Sequence, residues 1–235
     1  MGKAAAIAAA RAGYHVHIAG TNSVKLEKAR SEIALASSVA ESNIQHSTVD
    51  ACSTDSLLEF SKSFAAGSLQ HLIVTCGPSA KVSTILDPDG FAGLRRQLDI
   101  KFFAQLGVVS YIAPLLTDGG SIILTTGALA KRPGKGSTAL AVANAAIDAA
   151  VKGLANDLGP RLRINSLSPG LVDTEIWDGM PPETKAGMLQ GFGKAIPAGR
   201  AGLPSDIGHA MLFLLENTWV TGTVLDVDGG AAVRP

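Results

Sequence analysis

The chain has 235 residues, and its 20 Lys+Arg balance 20 Asp+Glu, so the formal net charge is zero. That excludes a protein held to nucleic acid by bulk positive charge, and only two cysteines, Cys52 and Cys76, exclude a disulfide scaffold or a cysteine-rich zinc site. A hydrophobic fraction of 46% beside 17% charged residues is ample for one large core. From Gly2 to Ala12 the alanine-rich sequence reads as a helix closed by Gly13, because Ala has the strongest intrinsic helix preference. The run is too weakly apolar for a targeting peptide and no cleavage site follows it, so a soluble, cytoplasmic protein is expected. No apolar run reaches the roughly 18 residues of a membrane span.

Tyr14–Ala19 alternates as a short strand. Val24–Ala36 reads as a helix, Gln45–Val49 as a second strand, and Ser53–Phe64 as a helix with Ser53 or Thr54 near its N-cap. Gln70–Cys76 is apolar in the manner of a strand buried on both faces. A long helix, Phe91–Leu116, precedes the strand Gly120–Thr126. A second long helix, Thr138–Leu158, is stopped by Gly159 and Pro160 and leads to the strand Arg163–Ser168. A Gly/Pro-rich stretch over residues 171–202 holds a short helix near Pro182–Gly191. The helix Pro204–Glu216 and the strand Thr221–Val227 close the chain. This alternation predicts one α/β domain over residues 1–235: a Rossmann-like, doubly wound parallel sheet in three layers. Such a fold opens on a strand feeding a glycine-rich turn, and here the chain opens on the helix, so the first strand is expected to be missing.

Particular segments resemble the short-chain dehydrogenase/reductase family. Ile196–Gly230 (IPAGRAGLPSDIGHAMLFLLENTWVTGTVLDVDGG) is similar to its C-terminal part, and Arg163–Trp177 (RINSLSPGLVDTEIW) to its Pro-Gly turn beside the nicotinamide. GKAAAIAAARAGYHVHIAG resembles the tail of its glycine motif. The resemblance implies cofactor contacts from Gly2, the motif's last glycine, from Asp50 near the adenine, and from Gly77, the residue kept from the family's Asn-Asn-Ala-Gly turn. It implies further contacts from Pro169, Gly170 and the amide-binding Thr174, and a substrate lid around residues 171–202. The absent strand would lie between Tyr14–Ala19 and Gln70–Cys76. We expect the sequence to be an incomplete reading of a longer chain, with Met1 inside the phosphate loop; a truly shortened product is the alternative.

An acid at the end of the first visible strand would hold the ribose 2′-OH of NAD and repel a 2′-phosphate. Gly20, Thr21 and Asn22 stand there, which favours NADP, with Thr21, Asn22 and Ser23 as phosphate contacts. The family's Asn-Ser-Tyr-Lys tetrad aligns with Lys101, the Thr126-Gly127 pair, Leu140 and Asn144, so none of the four is kept. Leu140 cannot donate a proton, and the only tyrosines, Tyr14 and Tyr111, lie on other elements. Lys101, Thr126 and Asn144 are therefore the catalytic candidates, with Lys101 as the electrostatic or proton-donating group; a solvated or salt-bridged helix lysine is the competing reading. Lys131, Arg132 and Lys135 could hold an anionic substrate or simply be solvated, and Trp177 could cover substrate or pack. Cys76 reads as a buried filler, and the five histidines have no metal-ligand spacing, so no metal is expected.

These residues imply an NADP-dependent oxidoreductase acting on a small organic substrate, and the resemblance permits a place in secondary metabolism. The alternatives are a non-redox isomerase or cyclase using the same pocket, or a catalytically inactive scaffold. An iminium substrate would need no proton donor. The family pairs its two long helices across a dimer, so a homo-oligomer through Phe91–Leu116 and Thr138–Leu158 is expected, with no nucleic-acid or membrane partner.

Overall fold

The structure is a computed structural model and describes residues 1–77 and 84–233. Six strands run in chain order: β1 (Val16–Gly20), β2 (Ile44–Thr48), β3 (Leu69–Ile73), β4 (Leu116–Thr125), β5 (Arg163–Pro169) and β6 (Val224–Val227). The helices are α1 (Gly2–Arg11), α2 (Ser23–Ser37), α3 (Thr54–Ser61), α4 (Gly90–Gln97), α5 (Ala104–Ile112), α6 (Thr138–Leu158), α7 (Pro182–Lys194) and α8 (Pro204–Glu216).

All ladders are parallel. β3-β4-β5-β6 form one sheet and β1-β2 another, and among the described residues no ladder joins β1 to β3. The expected break in the sheet therefore falls between those two strands. Side chains span it: the Tyr14 and His71 rings meet edge to face at 5.5 Å, and His17 sits against Phe60 and Phe64 of the α3 segment.

Helices cover both faces, which gives the three layers. On one face Val109 and Ile112 of α5 and Ile147 and Val151 of α6 pack on Ile122, Leu124 and Ile164. On the other, Ala5 of α1 and Ile207, Met211 and Leu214 of α8 pack on Ile123 and Leu167. Alternate residues of β4 and β5 thus enter opposite cores, as the pleat requires. A third cluster joins α1 and α2 to β2 through Ala6, Ala10, Ile33 and Ile44. Gly208 lets α8 meet α1 backbone to backbone, since a Cβ there would lie 2.5 Å from the Ala4 carbonyl oxygen. Arg163 holds the end of α8 by donating to the carbonyls of Leu214 at 3.0 Å and Leu215 at 2.6 Å.

One expected element is refined and another corrected. The long helix expected over Phe91–Leu116 runs unbroken from Gly90 to Leu115, but α4 passes through a π-helical turn, Leu98–Phe103, into α5, and a 3-10 turn at Ala113–Leu115 ends it. Pro114 has no N–H to extend the helical ladder, and Leu116 already pairs with Leu69 as part of β4. Gln70–Cys76 is not buried on both faces: β3 is only half-buried, with Gln70 exposed, because among the described residues its one ladder partner is β4.

Candidate active site

In parallel α/β sheets ligands gather outside the carboxyl ends of the strands. Those ends bring together Thr75, Cys76 and Gly77 after β3, Thr126 and Gly127 after β4, and Gly170 after β5. The first half of α6 and the π-helical turn close the site from one side. π-helical turns widen the helix locally and recur at functional sites; this one carries Lys101 at its centre.

Lys101 is 7% exposed. Its Nζ donates to the Thr126 carbonyl at 3.4 Å, and a Cβ on exposed Gly77 would lie 3.4 Å from the same nitrogen. Burial pushes the amine down to about 8, and no carboxylate offsets it. The solvated or salt-bridged reading of this lysine is thereby corrected. Burial also pushes the neighbouring Cys76 thiol up to about 11, as suits a protonated filler.

Gln105 follows Lys101 by one turn and is fully buried. Its amide nitrogen donates to the Thr125 carbonyl at 2.9 Å and its oxygen accepts from the Thr125 N–H at 3.0 Å. This two-point clasp fixes the end of β4 against the helix that carries Lys101. Its one signal in the sequence is a polar residue four after Lys101 in a largely apolar helix.

Thr126 is buried, and its hydroxyl donates to the Asn144 carbonyl at 3.0 Å. Asn144 is 2% exposed and its side-chain oxygen has no partner. The Asn144 amide nitrogen lies against Gly127, where a Cβ would come within 2.9 Å, so a serine at 127 and this asparagine conformer exclude each other. One turn further along α6, burial raises the Asp148 carboxyl, and one of its oxygens is also unpartnered. Leu140 is partly exposed near the start of α6. Tyr14 packs on His71 before β1, and Tyr111 lies in the last turn of α5, so neither tyrosine reaches this end of the sheet.

The cofactor candidates divide. α1 begins at Gly2 without a side-chain cap, so its first N–H groups are open to an anion, and a Cβ on Gly2 would sit 2.7 Å from Thr75 Oγ1. Thr21, Asn22 and Ser23 are all exposed at the end of β1. Asn22 already has work: its side chain caps α2 by accepting from the Lys25 N–H at 2.9 Å. Asp50 is exposed and accepts from the Cys52 N–H at 2.9 Å. Gly170 abuts Asp228, and a Cβ there would lie 2.9 Å from the Asp228 backbone; Pro169 is buried as the last residue of β5. Thr174 precedes the short turn Glu175–Trp177. Trp177 donates its indole N–H to the Val172 carbonyl at 2.9 Å, so it ties the Glu175–Trp177 turn to the segment that follows β5. Lys131 pairs with Asp226, whereas Lys135 stays exposed.

A family profile described as Enoyl-(Acyl carrier protein) reductase matches residues 1–232. The chain is 32% identical over its whole length to the short-chain dehydrogenase/reductase ATR9 of Stachybotrys chlorohalonatus, covering 93% of that protein. The chain belongs to the short-chain dehydrogenase/reductase family. It is also 31% identical to a small-chain dehydrogenase crystallised with NADPH, with a TM-score of 0.77 over 93% of this chain and 99% of that one. The MalC reductase/Diels-Alderase of Malbranchea aurantiaca is 26% identical, with a TM-score of 0.89 over 99% of this chain and 92% of that one. Members of the short-chain dehydrogenase/reductase family are oxidoreductases that act on small molecules. In this member, Lys101, Thr126 and Asn144 converge at the strand ends, while Asp50 and Asn22 are engaged in local turns and caps.

Proposed function

We propose that this chain is an NADP-dependent oxidoreductase that acts on the carbonyl of a small organic compound, with Lys101 taking over the polar work at the substrate oxygen. Residues 1–235 are read as one nucleotide-binding domain with its lid around 171–202. The observation that carries the proposal is a buried amine with no carboxylate partner, held at the carboxyl ends of β3 and β4.

The residues fit a nicotinamide dinucleotide. The uncapped start of α1 suits a pyrophosphate, and the unpartnered Asn144 oxygen suits a ribose hydroxyl. Thr21 and Ser23, with no acid beside them at the end of β1, suit a 2′-phosphate; the NADPH complex of the similar dehydrogenase points the same way. When bound, the reduced coenzyme supplies hydride. The protein's part is then to hold the carbonyl, exclude water and meet the developing oxygen charge. Lys101 does the last: a cation in a water-poor pocket stabilises an oxyanion strongly and can pass it a proton. Thr126 and Gln105 keep the pocket wall in register.

The likeness to a reductase/Diels-Alderase favours a place in secondary metabolism, and keeps a second reading, non-redox cyclisation in the same pocket. A homo-oligomer is proposed through α5 and α6, whose outer sides leave an apolar groove of about 310 Å³ lined by Leu106, Val109, Ala113, Leu154 and Leu158.

Fluorescence titration with NADPH and NADH tests the reading. Tighter binding of NADPH is expected, with Thr21→Asp reversing the preference by about tenfold or more, the effect of roughly 1.4 kcal/mol. Failure to bind either nucleotide would remove redox chemistry.

A further inference from the structure

We propose that Lys101 condenses reversibly with the carbonyl carbon of an α,β-unsaturated aldehyde or ketone, forming an iminium and releasing the carbonyl oxygen as water. The use made of that iminium rests on the proposed function; the condensation itself needs only the amine and its surroundings.

Four observations carry this. Lys101 is buried, yet no carboxylate holds it as a cation. Among the described residues its one hydrogen bond is a long 3.4 Å contact to the Thr126 carbonyl, so none of them commits the nitrogen to a structural network. The wall beside the amine is glycine: a Cβ at Gly77 would lie 3.2 Å from Lys101 Cδ and 3.4 Å from Nζ, and Gly77 itself is exposed, so the missing side chain leaves the approach to the amine unfilled. The rival nucleophile, Cys76, is kept as a thiol by burial.

The condensation also accounts for Leu140. A ketone reduced at its carbonyl carbon ends on an oxyanion that Lys101 alone must protonate, since neither tyrosine is at hand. For a conjugated substrate, loss of the oxygen as water removes that requirement. The substrate class follows from balance. Hydride added to a simple iminium carbon would leave Lys101 as a stable secondary amine and end turnover. Hydride added to the β-carbon of a conjugated iminium, with reduced nicotinamide oxidised in the same step, leaves an enamine. The enamine takes a proton from water at its α-carbon, and hydrolysis releases the saturated carbonyl compound and the free amine.

At pH 7.5 an amine at about 8 is neutral about 200-fold more often than one at the ordinary 10.5. The full-length protein is treated with cinnamaldehyde and sodium cyanoborohydride at that pH, and reduced lysine adducts are mapped by peptide mass spectrometry. The adduct is expected on Lys101 about 10²-fold faster than on exposed Lys152, and absent from that position in Lys101→Arg, which keeps the cation. Labelling of Lys101 no faster than Lys152, or an undiminished adduct at that position in Lys101→Arg, overturns the proposal. Adduct formation without NADPH binding would leave the condensation standing and remove the proposed function; NADPH binding without the adduct does the reverse.

Discussion

Replacing Lys101 by methionine should stabilise this protein at neutral pH while impairing its chemistry. The amine is held at about 8 in the fold against 10.5 when free. The unfolded chain therefore binds more protons than the folded one between those values, and stability rises with pH across that window. At pH 7, below both values, the buried cation costs the folded state about 3 kcal/mol, at about 1.4 kcal/mol per pH unit. Methionine fills similar space without a charge. The variant should thus gain up to about 3 kcal/mol at pH 7, or roughly 6–12 °C in Tm for a chain of this size. At pH 10 the native amine is neutral in the fold, and the gain should shrink below about 1 kcal/mol. Urea unfolding at the two pH values reads this directly. A variant less stable than the parent at pH 7, or a gain independent of pH, would refute the account of Lys101 as a buried, unpaired cation. A group retained at such a cost is the trade expected at a functional site.

Gln105→Leu should cost about 2–4 kcal/mol in the same assay, because it leaves the Thr125 N–H and carbonyl buried without their partners. Gly208→Ala should cost about 1–3 kcal/mol by forcing α8 away from the Ala4 carbonyl, with α1 becoming more open to hydrogen exchange. Burial lowers the pKa of His17 and of His71. Their folded forms prefer to be neutral, so the stability this provides is present above 6.5 and is lost as pH falls through the lowered values. Thermal melts should show a decline from pH 7 to pH 5, and replacing both histidines by phenylalanine should flatten it.

The order of elements was legible because strand and helix signals alternate cleanly. The alanine run makes α1, Gly159 and Pro160 end α6, and the buried Ile164 and Leu167 make β5. The break beside β1 followed from the chain opening on a helix. The site was legible as a set of positions but not as an arrangement. A π-helical turn leaves no mark in LDIKFF, so nothing in the local sequence separates a solvated lysine from one packed against Gly77 and Thr126. The Gln105 clasp on Thr125 joins residues twenty apart, and the Asn144 contact with Gly127 exists only once α6 lies on β4. Asn22 and Asp50 show the opposite limit. Each is expected at a cofactor position, and each gives one side-chain oxygen to a nearby backbone N–H, the habit of short polar residues at turns and caps, which leaves the second polar atom of the side chain for a ligand.

The most direct test of the central claim is hydride transfer itself, followed with 4-deuterated NADPH and a panel of small ketones and enones in the parent protein and in Lys101→Met. The account predicts deuterium in the product of the parent, delivered from one face only, and a fall in kcat of about 10²–10⁴-fold in the variant, the range expected for losing a positioned acid. Deuterium transfer at full rate by Lys101→Met would contradict it.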